Sequence, residues 1–236
     1  MITLGKFELY PVSDGFFRLD GGSMFGVVPK VIWEKTNPAD SKNRVRLGLR
    51  PLVVNTEKEI VLIDTGIGGK GGEKFSSIYG VERSPTLSES LMEIGLCEKD
   101  ITLVIDTHLH FDHAGGNTFR DETGAIKPAF PNARYIVQKG EWEEAVQPSE
   151  RTKASYLPEN FLPVMESGQM ECIEGDQEIL SGISVFKTSG HNRHIQLVKI
   201  ESGGESAVFL TDIIPTRTHM KLPFIMGYDL FPLDTL

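Results

Sequence analysis

The chain predicts an α+β fold with a largely antiparallel or mixed sheet system. Two strand-like runs, Leu49–Asn55 and Glu59–Asp64, are joined by Thr56-Glu57-Lys58 alone, the spacing of a β-hairpin. A second pair of runs flanks Ser202-Gly203-Gly204-Glu205 in the same way. Strand hairpins interleaved with a few helical stretches are the mark of this class.

Taken in order, Ile2 to Tyr10 alternates apolar and polar residues and reads as an edge strand. Residues 11–33 mix aromatics and glycines and end in Met24-Phe25-Gly26-Val27-Val28-Pro29; Glu34 to Arg46 is a charged, exposed connector. Beyond the first hairpin come Gly66, Gly68, Gly69, Gly71 and Gly72, read as a flexible loop. Thr86 to Ile94 predicts a helix, with Ser84 and Pro85 at its start and Gly95 as its stop. Ile101–Ile105 is wholly apolar, typical of a strand buried on both faces. Arg134–Gln138 predicts another strand and leads to a helix over Gly140 to Val146, on which Glu141, Glu143 and Glu144 form a solvated face. Residues 148–163 hold three prolines and read as irregular or as carrying a short helical insert. Strands return around Ile179 and over Ile183–Thr188, Ile195–Glu201 and Ala207–Thr211.

With roughly 100–200 residues per domain as the prior, residues 1–236 are expected to form one domain. A composition of 39% hydrophobic and 24% charged residues excludes wholesale disorder. Lys plus Arg number 24 against 33 Asp plus Glu, a net charge of −9 that argues against general affinity for nucleic acid or anionic membrane. No apolar run approaches the roughly 20 residues of a membrane helix, and the start lacks the apolar core of a signal peptide. Cys97 and Cys172, without a partner motif, read as reduced thiols of a cytoplasmic protein.

Three of the six histidines fall in one block, Thr107-His108-Leu109-His110-Phe111-Asp112-His113, directly after the buried strand. A single histidine is ordinarily a hydrogen-bonded packing residue. Three with an aspartate are not, because each ring packed without a metal needs its own polar partners. His108 and His110, two apart, point to the same side of an extended backbone and can share one ion, while Asp112 and His113 lie where a turn can aim both at a second. Imidazole with carboxylate suits zinc, with iron, manganese or cobalt also admissible. His191 in Thr188-Ser189-Gly190-His191 and Asp212 in Leu210-Thr211-Asp212 end later strands, from which side chains can converge on the first cluster.

The block His108, His110, Asp112, His113 resembles the H-x-H-x-D-H signature of the metallo-β-lactamase-fold hydrolases, with His191 and Asp212 following in the family's order. Ile63-Asp64-Thr65-Gly66 is similar to the family's strand-end Asp-x-Gly element. The resemblance spans essentially the whole chain and implies a four-layer αββα sandwich with the site along one edge of the two sheets. It further implies that His108, His110 and His191 bind a first metal, Asp112 and His113 a second, and that Asp212 bridges both. The imidazole of His110, where redox members of the superfamily tend to carry glutamate, favours the zinc-type hydrolases. The run Asp20 to Lys30, Ile214-Pro215-Thr216 with His219, and Tyr228-Asp229 resemble the branch of N-acyl homoserine lactone lactonases and methyl parathion hydrolase-like enzymes.

Two departures stand out. The family's last histidine ligand lies some forty or more residues past the bridging aspartate, and only 24 residues follow Asp212. The chain is therefore expected to lack its final C-terminal elements; His219 is assigned a pocket-lining or supporting role in preference to a substitute ligand. Some lactonases carry a substrate-contacting tyrosine three residues past that aspartate, where this chain has Pro215.

The expected activity is that of a metal-dependent hydrolase with two divalent ions, zinc foremost, about 3.5–4 Å apart and sharing a hydroxide nucleophile. Asp112 is the expected catalytic residue, binding the second ion and accepting a hydrogen bond from the nucleophile. Asp64 is expected to orient a ligand histidine through its free ring nitrogen, and Phe25 to line the pocket. The expected substrate is a small ester or lactone of the acyl homoserine lactone type, with homodimer formation an allowed assembly. The alternatives are an arylesterase, an organophosphate hydrolase, a glyoxalase II-like thioesterase, or a non-catalytic truncated metal-binding domain. The glycines from Gly66 lack the phosphate-loop spacing, Arg44, Arg46 and Arg50 read as surface residues, and His194 as structural.

Overall fold

The computed structural model describes residues 1–236. The strand expected over residues 2–10 is broken at Gly5, whose φ of +58° makes the turn between β1 (Ile2–Leu4) and β2 (Phe7–Pro11). Next come β3 (Phe16–Asp20), α1 (Gly21–Phe25) and α2 (Lys30–Trp33). The charged connector is not wholly irregular: β4 (Arg44–Gly48) pairs antiparallel with β3. Its period-two pattern turns Val45 and Leu47 inward and Arg46 outward, while Arg44 is largely covered by Asp40 and the Ser77 and Ile78 carbonyls.

The first hairpin is β5 (Leu52–Asn55) with β6 (Ile60–Ile63). The glycines beyond it form no loose loop, because Gly68 N–H bonds Asp14 Oδ2 at 2.8 Å and a Cβ there would meet Gly115 O at 2.2 Å. After α3 (Glu73–Tyr79) comes α4 (Leu87–Glu93), started by a capping box between Thr86 and Glu89 and followed by Gly95 at φ +79°. The apolar run gives β7 (Leu103–Ile105), buried throughout. Then follow α5 (Phe111–Ala114), β8 (Thr118–Arg120), β9 (Ile126–Pro128), β10 (Arg134–Gln138), α6 (Lys139–Val146) and α7 (Leu162–Glu166). The last elements are β11 (Met170–Ile173), β12 (Gln177–Leu180), β13 (Ile183–Lys187), β14 (Gln196–Ser202), β15 (Glu205–Phe209) and α8 (Pro232–Thr235).

These assemble as a seven-stranded sheet in the order β1-β2-β5-β6-β7-β10-β11 and a four-stranded antiparallel sheet β12-β13-β14-β15. The large sheet is mixed: antiparallel as far as β6, parallel from β6 through β7 and β10 to β11. The two sheets face each other across a core that includes Val61, Ile63, Leu103, Ile105 and Ile136 from one and Ile183, Val185, Val198 and Ile200 from the other. The other face of the large sheet packs under Leu91, Ala145, Phe161 and Val164 of the helical layer. Phe186 and Val208, alternating with inward residues, are exposed on the small sheet's outer face. This arrangement brings the ends of β6, β7, β13 and β15 together at one edge.

Candidate metal centre

Each polar group at that edge sits just past a strand. Asp64 follows β6, His108 and His110 lie in the loop after β7, and Asp112 and His113 are in the first turn of α5. His191 follows β13, and Asp212 sits in a 3₁₀ turn after β15. Two of these junctions are backbone-strained: Asp64 has φ +57° and Thr211 φ +45°, a left-handed conformation costly for a β-branched residue.

The structure gathers five of the six expected ligands into two overlapping groups and sets Asp112 beside the second. Single ligand atoms of His108, His110 and His191 lie within 4.8 Å of one another, as do those of His108, His113 and Asp212. The Asp212 carboxylate spans the two groups, with Oδ2 3.4 Å from His191 Nε2 and Oδ1 3.3 Å from His113 Nε2. Asp112 Oδ2 is 3.6 Å from the same His113 nitrogen.

Hydrogen bonds behind the rings fix which nitrogens face inward. The Thr107 hydroxyl donates to Asp64 Oδ2 (3.0 Å), so its oxygen accepts from His108 Nδ1–H at 3.1 Å. His113 Nδ1–H donates to Asp64 Oδ2 at 2.8 Å, and His191 Nδ1–H to Asp229 Oδ1 at 3.1 Å. Each Nε2 then carries a lone pair into the cluster. His108 Nε2 and His110 Nε2 are buried without any hydrogen-bond partner. His110 faces the cluster through Nδ1, 3.0 Å from His191 Nε2, so the orphan among the ligand atoms is His108 Nε2, 3.9 Å from Asp212 Oδ2. An orphaned buried acceptor is costly, a cation there satisfies it, and the residues present fit a metal.

The electrostatics agree for His108 and His110, whereas at His113 and His191 the surrounding carboxylates overcome burial and favour a second proton on each ring, which an ion has to displace. Burial, reinforced by neighbouring imidazoles, holds His108 and His110 well below the usual histidine range, so both are neutral and able to ligate. Burial also opposes charge on His113, but Asp212, Asp112 and Asp64 outweigh it and lift its pKa well above the ordinary value. Burial raises Asp112, whereas on Asp212 the rings of His113 and His191 overcome burial and hold the carboxyl below the usual range.

The cluster lies at a cleft of about 920 Å³ whose apolar walls include Phe17, Leu19, Met24, Leu47, Leu49 and Met226. Arg46 and Arg50 also reach this cleft, so they are not purely surface residues; Arg46 pairs with Glu82 at 2.9 Å and lies 3.4 Å over the Phe16 ring. Phe25 and His219, expected in the pocket, stand behind its wall instead. They stack at 4.9 Å, and both His219 nitrogens are engaged, Nδ1 with Thr216 at 2.7 Å and Nε2 with the Met24 carbonyl at 2.8 Å. His219 is thus no substitute ligand. His194 lies apart, its backbone N–H bonded to Asn192 Oδ1.

Two carboxylates beside the centre escaped the reading from residues. Asp229 is buried on His191, where only its place beside Tyr228 in the branch-like segment singled it out. Glu141, grouped with a solvated helix face, is fully buried, and burial lifts its pKa to about 7. The signal for both lies in partners dozens of residues away.

A family model described as the metallo-beta-lactamase superfamily matches residues 52–235. An N-acyl homoserine lactonase of Bacillus cereus is 30% identical over 200 residues, which cover 79% of this chain and 72% of the relative. Another, of Bacillus sp, is 33% identical over 191 residues, 75% of this chain and 68% of that one. Among solved structures, a probable metal-dependent hydrolase from Staphylococcus aureus superposes with a TM-score of 0.92 at 34% identity, over 99% of this chain and 83% of that chain. AidC, a dizinc quorum-quenching lactonase, superposes at 0.77 with 21% identity over 99% of this chain and 81% of its own, a likeness of fold.

Proposed function

The chain belongs to the metallo-β-lactamase superfamily and is a metal-dependent hydrolase, and from that premise we propose that it opens a lactone ring of the N-acyl homoserine lactone type. His108, His110 and His191 would hold one divalent ion, Asp112 and His113 a second, and Asp212 both; zinc fits this mixed imidazole and carboxylate set best. Bound there, such ions supply Lewis acidity to a carbonyl oxygen and acidify a water so that it can attack.

The chain's own residues prepare that chemistry. Thr107, Asp64 and Asp229 each occupy an Nδ1–H, which keeps the Nε2 lone pairs of His108, His113 and His191 aimed inward. Asp112, 3.6 Å from His113 Nε2, would help hold the second ion and accept a hydrogen bond from the nucleophile. The apolar walls take an acyl chain and exclude bulk water from the ester. Phe25 and His219 brace Met24 from behind, so that this wall keeps its shape. The unpaired thiols Cys97 and Cys172 suit a cytoplasmic setting, and no helix is long and apolar enough to cross a membrane.

The observation that carries the reading is the partnerless buried Nε2 of His108, set among the ligand atoms of His110, His191 and Asp212 beside the cleft. The test is a panel of N-hexanoyl and N-decanoyl homoserine lactones, an aryl ester, a phosphotriester and a thioester, offered to zinc-loaded protein. Lactone opening releases one proton per turnover near neutral pH, which an indicator dye records. The highest kcat/KM should fall on a lactone. A clear preference for the phosphotriester, aryl ester or thioester would replace lactonase by that activity, and no turnover of any would leave a metal-binding domain without catalysis.

A further inference from the structure

We propose that Glu141 is the positioning residue of the three-histidine half of the centre, tying the His108–His110 loop to the His191 loop through one buried carboxylate. The inference rests on the reading that these histidines hold an ion. Glu141 stands in the first turn of α6, fully buried, with no basic side chain bonded to it. Its Oε1 accepts from the Leu109 N–H at 2.8 Å and from the Tyr156 hydroxyl at 3.0 Å. Its Oε2 accepts from Asn192 Nδ2 at 2.9 Å. Leu109 lies between the two histidines of one loop, and Asn192 follows the histidine of the other. A third contact reaches the same half, since the Tyr156 ring packs edge-on against His110 at 4.8 Å.

The partners define the chemistry. Three donors converge on two oxygens, a pattern that only an acceptor-only group satisfies. Glutamine has nearly the same shape but turns one oxygen into an NH₂ donor, which must then face the Leu109 N–H and Tyr156 hydroxyl or the Asn192 amide. One loop is released or pushed away whichever way the amide turns. The His113 side of the centre is held separately, through Asp64, so the effect should concentrate on one half.

The test is cobalt titration of metal-free protein against a competing chelator, with the visible d–d bands recorded at each equivalent. Glu141→Gln should weaken the tighter-bound cobalt by roughly 10- to 100-fold, the range for residues that orient metal ligands, and alter its spectrum. Asn192→Ala, which cuts one arm, should give a smaller change of the same kind. Wild-type affinity and spectrum in both variants overturn the proposal, however far the metal-free melting temperature falls, because a residue that only supports the fold changes that temperature alone. If Glu141→Gln does not fold, Asn192→Ala decides, and an unchanged cobalt site there overturns the proposal. A wild-type chain that takes up no cobalt overturns the metal reading and this inference together.

Discussion

Replacing Asp64 by asparagine removes the direct support of His113, while His108 in the other half is reached only through the Thr107 hydroxyl. Asparagine also tolerates left-handed backbone, so the φ of +57° is kept without added strain. What changes is the hydrogen bonding. Asp64 accepts from Thr107 N–H at 2.8 Å, from the Thr107 hydroxyl at 3.0 Å and from His113 Nδ1–H at 2.8 Å. An asparagine that keeps its carbonyl on Thr107 N–H presents an NH₂ group to His113 Nδ1. The ring then carries its proton on Nε2, the atom that faces Asp212 at 3.3 Å, and its lone pair no longer points into the centre. Leaving one buried donor unsatisfied costs about 1–3 kcal/mol of folding stability. Loss of the orienting bond weakens metal affinity roughly 10- to 100-fold. Zinc stoichiometry under a graded chelator series reads the second effect, and urea unfolding of the metal-free protein reads the first. Asp64→Asn should retain its first zinc and lose the second at lower chelator concentration than wild type. Wild-type retention of both ions would refute the role given to Asp64.

Other consequences follow from the same geometry. Burial pushes the Lys70 pKa down to about 8; between there and its ordinary value of 10.5 the unfolded chain binds more protons, so stability should rise with pH across that window. Lys70→Met should remove that part of the rise, and parallel curves of urea midpoint against pH for the two proteins would contradict it. Leu47→Trp fills one apolar wall of the cleft and should raise KM for the decanoyl lactone several-fold more than for the hexanoyl lactone; equal shifts would remove that wall from acyl recognition. Ile105→Ala opens a cavity between the two sheets, where the side chain is fully buried, and should cost about 2–5 kcal/mol in chemical unfolding; a loss below 1 kcal/mol would mean that this layer repacks freely.

What was legible in the residues was whatever is encoded locally. The H-x-H-x-D-H spacing placed His108, His110, Asp112 and His113 in one block because the block itself turns from extended chain into α5. Ser84-Pro85 at the start and Gly95 at the stop marked α4, whose capping box at Thr86 the structure adds, and a three-residue link marked the β5–β6 hairpin. Arg44-Val45-Arg46-Leu47 carries a strand's alternation, yet its charge made it look like a connector, and only pairing with β3 shows it as a strand. Glu141 was illegible for a different reason. Its helix carries Glu143 and Glu144 as well, and nothing local distinguishes the buried glutamate from its neighbours. Leu109 and Asn192, which distinguish it, lie 32 and 51 positions away. His219 was legible in part: Thr216 and the Met24 carbonyl take both its nitrogens, in keeping with its demotion from ligand, but the same partners set it behind the cleft wall and not in the pocket.

On the proposed reading Asp212 and the five ligands around it hold the ions on which lactone hydrolysis depends. The most direct test of that reading is turnover of N-hexanoyl homoserine lactone by metal-free protein titrated with zinc, with bound metal measured at each step. Hydrolysis should be at the background rate without metal, rise with each ion taken up and level off at two per chain. Full turnover in metal-free protein, or no turnover of the lactone with two zinc ions bound, would contradict the account.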